Sequence, residues 1–257
     1  MSEYIKYNYS KVIFSLILAI GIALGGYFIG NSIFKAKSLD NYIAVKGLSE
    51  RIIVSDLAIW HIPIKATGND MVKVNNKIEL DRNIVVQFLI EQGFDKEEIE
   101  FGDYTVDDLN TNTYRNGGDS EKYRYVIKAI VVLKTSKVEQ VKKVSKLQNL
   151  LVQKGITLGG SSYSSGPFYE FTNFNDIKLG MLEEAIKNAR KAAEKIAEHS
   201  NTKIGSLKQA NQGVFLMSPV DGGEENQNND YDNSYQARRS ISKKLRLVTT
   251  LHYFLKN

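Results

Sequence analysis

Hydrophobic positions follow three different rhythms along this chain. From Val12 to Phe34 there is no charged residue, and thirteen of those 23 positions are Val, Ile, Leu or Phe. A bilayer core takes roughly 20 helical residues, so the run predicts a transmembrane helix. On the insertion scale these side chains favour the membrane by about 4–8 kcal/mol at most. Gly21, Gly25, Gly26 and Gly30 fall at small-xxx-small spacing, which lets two such helices approach closely. Ordinary transmembrane glycine is the simpler reading.

From about Asn41 the rhythm changes to periods of two and of three to four. Tyr42–Val45 and Ile52–Ala66 read as strands around a turn at Gly47-Leu48-Ser49-Glu50. Pro63 lacks a ladder donor and predicts an edge or a bulge. Met71–Gln92 reads as a helix closed by Gly93. Ile99–Val106 and Tyr123–Thr135 read as strands, with turn chemistry at Asn116-Gly117-Gly118-Asp119. Lys137–Lys154 reads as a second helix followed by Gly155. Ile156–Leu158 and Phe168–Phe171 read as short strands.

A third helix is expected over Asp176–His199, with Leu179, Leu182, Ile186, Ala189, Ala193 and Ile196 as its apolar stripe. Lys203–Gln209 reads as a strand. Ser218–Arg239 is polar and aperiodic, and is expected to be a disordered loop. The last strand is Ile241–Leu255, apolar at odd positions except Lys243 and Thr249. One apolar and one wet face point to antiparallel pairing. The order of helix then strand pair is not a βαβα run. The fold class is therefore α+β: an N-terminal transmembrane helix, then mostly antiparallel sheet with about three amphipathic helices.

Composition narrows function more than fold. Apolar residues make up 42% and charged residues 25% of the 257 positions, enough to build a core. The net charge of +5 is interspersed, with no Lys/Arg block or basic stripe with aromatics. No nucleic-acid partner is expected. There is no cysteine, which excludes disulfides, thiolate nucleophiles and Cys-ligated metals.

The layout read from the chain is a short cytoplasmic tail (1–11), a signal-anchor (12–34) and an exported domain (41–257). Lys6, Lys11 and the amino terminus, against Glu3, lie before the span and Lys35 and Lys37 after it, which with the short tail gives a slight lean to a cytoplasmic N-terminus. A cleaved signal peptide is the competing reading. It would have about 7–15 apolar residues and an A-x-A-like site. This run is longer, and Ala36 stands between two lysines. The expected place is the inner membrane, single-pass, with the C-terminal domain in the periplasm or outside the cell.

Three patches resemble the SIMPL-domain family of bacterial envelope proteins. Val45-Lys46-Gly47-Leu48-Ser49-Glu50 with Asp56-Leu57-Ala58-Ile59 is similar to the family's opening V-x-G-x-x-E and D-x-A-x strands. Tyr125-Val126-Ile127 leads into a Val-rich strand. Ala185 to Ala197, followed by Ile204-Gly205, resembles the A-x-x-x-A-R-x-x-A-E-x-x-A helix and the strand after it. The family often has an acid where Asn188 stands, and the 218–239 insert is a second departure. The resemblance implies an exported protein that self-assembles, into rings in some relatives, with links to envelope stress and no settled reaction. Ala189, Ala192, Ala193 and Ala197 keep one helix surface low, so that it can lie close on a sheet.

Candidate chemistry is sparse. Asp103, Asp107 and Asp108 with Asn110 and Asn112 could bind a cation, but lack the fixed glycine and closing Glu of an EF-hand loop. His61, His199 and His252 are far apart and have no partner at ligand spacing. Gly159–Gly166 lacks the ending of a phosphate-binding loop. Trp60 reads as core or as an oligomer contact. No catalytic, cofactor-binding or metal-ligating residue is assigned, and the chain is expected not to be an enzyme. The expected partners are the lipid bilayer, through residues 12–34, and further copies of the chain. The alternative is a small-ligand binder or enzyme in which Asp56, His61 or the Asp103–Asp108 acids converge on a cavity.

Overall fold

The computed structural model describes residues 2–38, 41–111, 123–160, 166–220 and 230–256. The expected turn at Asn116–Asp119 lies outside them. The chain order is α1 (Ser2–Ser38), β1 (Tyr42–Val54), β2 (Leu57–Gly68), α2 (Met71–Glu91), β3 (Ile99–Asp108), β4 (Tyr125–Thr135), α3 (Val138–Val144), α4 (Asn149–Gln153), β5 (Gly166–Glu170), α5 (Phe174–His199), β6 (Lys203–Pro219), α6 (Asp230–Arg239) and β7 (Ser242–Lys256). The class is α+β, as expected. One sheet runs β1-β7-β6 and the other β3-β4-β2-β5.

The chain forms two compact units. The first holds residues 1–49, 181–214 and 247–257; the second holds 50–180 and 215–246.

The core of the second unit follows from strand register. Even positions of β2 and odd positions of β4 share one face, and Trp60 pairs with Leu133, Ile62 with Val131 and Ile64 with Ala129. All six are buried. α2 lays Val74, Ile78, Val85, Phe88 and Leu89 on that face. Burial of each large apolar side chain contributes about 1.5–3 kcal/mol. Asp70 caps α2, its carboxylate accepting from the Val72 and Lys73 N–H groups at 3.0 and 3.2 Å.

Helix ends repeat one device. After α2, the Phe94 N–H donates to the Leu89 carbonyl and the Gly93 N–H to Ile90. After α4, Ile156 donates to Leu151 and Gly155 to Val152. This is the Schellman pattern, and it needs a left-handed residue: φ is +88° at Gly93 and +81° at Gly155. Asn201, at φ +53°, fills the same position after α5.

Several expectations are corrected. Gly47–Glu50 is not a turn: β1 runs straight through it, with Gly47 and Ser49 facing inward. Pro63 is not on an edge strand, because β2 lies between β4 and β5. Pairing with β5 stops at His61, and beyond it the Pro63 carbonyl accepts from the Gly159 N–H at 2.8 Å. The missing donor thus falls where β2 changes neighbour. Ile156–Leu158 makes only one bridge, Leu158 to Ile64. The 137–154 helix breaks into α3 and α4 at a 3₁₀ turn over Ser145–Leu147. Of the 218–239 segment read as disordered, the start belongs to β6, 221–229 lie outside the described residues, and 230–239 form α6.

The first unit packs α5 on the three-stranded sheet. The buried stripe is Met181, Ala185, Ala189, Ala193 and Ala197, which keeps the expected Ala189 and Ala193 but not the larger members. Leu179, Ile186 and Ile196 are exposed. Ala189 and Ala193 meet Val45, Leu251 and Tyr253. The low helix surface expected from the alanines is present, with Ala197 in the buried row and Ala192 partly buried. Gly47 is its counterpart in the sheet. A β-carbon there would fall 1.9 Å from the Ala185 carbonyl oxygen and 2.6 Å from the Ala189 nitrogen.

Candidate functional site

The residues singled out by sequence are scattered, and most are held by structural contacts. Asp56 sits in the turn between β1 and β2. Its carboxylate accepts from the Thr172 N–H and hydroxyl, both at 2.8 Å, and from the Asn173 amide at 3.1 Å. Burial raises the pKa of this carboxyl, and the Thr172 hydrogen bonds outweigh it, so the group sits below its ordinary range. Asp56 is a clamp on the start of α5.

Asp107 and Asp108 point across the ladder to β4. Asp107 pairs with Lys128 at 3.0 Å and Asp108 with Arg124 at 2.9 Å. The Arg124 hydrogen bonds hold Asp108 below the ordinary carboxylate range. Asp103 lies at a register shift between Phe101 and Tyr104. Asn112 lies outside the described residues. Among the described residues no three His, Asp or Glu side chains gather as a metal site.

His61 lines a small cavity of about 110 Å³ with Gln148, Leu158 and Gly159, and among the described residues no other ionisable group lines it. His199 ends α5, and His252 stacks on Tyr42 with centroids 5.4 Å apart. Trp60 is fully buried core. Residues 161–165 of the Gly/Ser loop lie outside the described residues.

Two buried charges were missed. Lys243 is 2% exposed, and its ammonium donates to the Tyr169 carbonyl. Burial, with Arg238 nearby, pushes its pKa down to about 8 against the pull of Glu170. Tyr169 is itself pushed up to about 12 by burial and by Glu139. Asp81 is 1% exposed and pairs with Lys77 one turn away. The signal was present in both cases. Lys243 falls on the apolar face of β7, and Asp81 stands between Ile78 and Val85 in the α2 stripe. Near Lys243, a cleft of about 290 Å³ is lined by Lys142, Tyr169, Gln236, Arg239 and Ser240.

The most specific geometry joins two sequence patches. In the first unit Gly47 receives Ala185 and Ala189. Beside it the Ser49 hydroxyl donates to Glu184 at 2.8 Å, and the Asn188 amide donates to the Leu48 carbonyl at 2.9 Å. A carboxylate at 188 could not make that bond, which accounts for the amide in this chain.

α1 contains one segment, Lys11–Ile33, long and apolar enough to cross a membrane, and no part of it is buried. At 1.5 Å per residue its 23 residues span about 35 Å, against about 30 Å of hydrocarbon.

An α+β domain whose glycine-bearing strand and alanine-striped helix are pressed together, preceded by an apolar helix, defines the class. The chain belongs to the SIMPL family, described as a protein of unknown function (DUF541), whose model matches residues 43–246. No curated protein matches the chain.

Proposed function

We propose that the chain is a single-pass membrane protein of the bacterial envelope whose exported domain works by self-assembly or partner binding, not by catalysis. The observation that carries this reading is β6. It is a 17-residue edge strand, paired within its sheet only to β7. Leu207, Val214 and Leu216 on it are 49%, 74% and 43% exposed. A long exposed edge with apolar side chains is a template for another strand. The apolar span supports anchoring, since none of it is buried among the described residues.

Size-exclusion chromatography with light scattering on the full chain in detergent tests the assembly. A discrete oligomer is expected, reduced to monomer by Val214→Asp. A strictly monomeric wild type would remove the reading. The anchor is tested separately: the intact chain should fractionate with membranes and need detergent for release.

A further inference from the structure

The outward face of the three-stranded sheet, on the side away from α5, carries an aromatic and basic cluster in the first unit. Tyr42 stacks on His252, and the Lys208 ammonium lies 4.0 Å from the Tyr42 ring centroid and 5.4 Å from that of Phe254. Lys46, Lys208 and Lys256 are exposed there. Among the described residues, Glu194 and Glu198 of α5 are paired with Arg190 at 3.0 Å and Lys195 at 2.9 Å.

Chain geometry keeps this cluster near lipid. Tyr42 follows Ser38, the last residue of α1, by four positions, so the two lie within about 14 Å of each other. Ser38 is five residues past the end of the apolar span, about 7.5 Å of helix. Tyr42 is therefore held within roughly 22 Å of the hydrocarbon edge, of which headgroups fill about 5–8 Å. The linking segment adds Lys35 and Lys37 against Asp40. Rings beside lysines are the composition of a membrane–water interface, where the ring sits among headgroups and the ammonium meets lipid phosphate.

We propose that this face docks on the headgroups of anionic phospholipids and sets the posture of the domain over the membrane. The inference rests on the anchor reading. Tethering keeps lipid at high effective concentration, so a modest affinity suffices. Each lysine near a charged surface contributes a factor of about five.

The chain lacks cysteine, so Ser206→Cys gives a single labelling point two residues from Lys208. The full chain, nitroxide-labelled there, is placed in nanodiscs of phosphatidylcholine alone or mixed with phosphatidylglycerol, with nickel chelated at the headgroups. Collision with nickel should rise several-fold in the anionic discs. It should fall back at high salt and in Lys46→Glu/Lys208→Glu/Lys256→Glu, whose circular dichroism checks the fold. Equal collision in both discs, or an anionic effect that survives charge reversal, overturns the proposal while the anchor stands. A chain that elutes apart from the discs overturns both.

Discussion

Gly47 lies so close to Ala185 that a β-carbon at position 47 would sit 1.9 Å from the Ala185 carbonyl oxygen. Backbone, not a flexible side-chain tip, occupies that space. Gly47→Ala must displace α5 from the sheet. The expected loss is about 3 kcal/mol, the upper end of ordinary overpacking. Denaturant unfolding of the full chain in micelles measures it, and a loss below about 0.5 kcal/mol would show that the helix shifts freely.

Asn188 gives a sharper test. Asn188→Asp replaces the donor to the Leu48 carbonyl with a carboxylate that has no hydrogen to give. A loss of about 1 kcal/mol is expected, as for a hydrogen bond deleted at an accessible site. Asn188→Ser, which keeps a donor on a shorter arm, should lose less. Equal stability of Asp and Asn at 188 would refute the role given to the amide.

Lys243 predicts a pH dependence. Its folded pKa, about 8, lies below the ordinary lysine value of 10.5. Between those values the unfolded chain binds more protons than the folded one, so this group makes stability rise with pH from about 8 upward. Tyr169, pushed up to about 12, acts oppositely, but only above its ordinary value of 10.0. From pH 8 to 10 the wild type should gain stability relative to Lys243→Met. Parallel profiles would mean that the lysine is not buried as described.

Asp56 predicts the opposite limb. Its folded pKa lies below the ordinary value of 3.8, so its contribution is complete above that value and is lost as pH falls through the folded pKa. Asp56→Ala should cost about 1–2 kcal/mol at neutral pH, the range for a lost cap. The gap from wild type should close in acid. Thermal unfolding at both pH values decides the matter.

Much of the fold could be read directly from period. The alternation of β2 and β4, the α2 stripe closed by Gly93 and the length of α5 all lie where side-chain pattern and burial coincide. Reading failed where backbone proximity replaces side-chain bulk. Gly47 looked like a turn because glycine serves both purposes, and only the opposing helix distinguishes them. Of the stripe expected on α5, Ala189 and Ala193 are inside and the larger Leu179, Ile186 and Ile196 are exposed, because little room exists against the sheet. Lys243 and Thr249 looked like interruptions of an inward face, yet both are buried on it. Of the candidate site residues, none could be seen from sequence to be a clamp or an ion pair. Thr172 stands 116 positions from Asp56, and Lys128 is 21 from Asp107.

The alanine row of α5 inverts the usual relation between size and tolerance. Where the smallest residues meet, an added methyl group has no cavity to enter. The bulkier Leu179 and Ile186 face open space and can change with little penalty to the fold. Sequence drift in this domain should therefore be slowest at its least conspicuous positions, leaving the greasy outer side of the helix free to be tailored to whatever it meets.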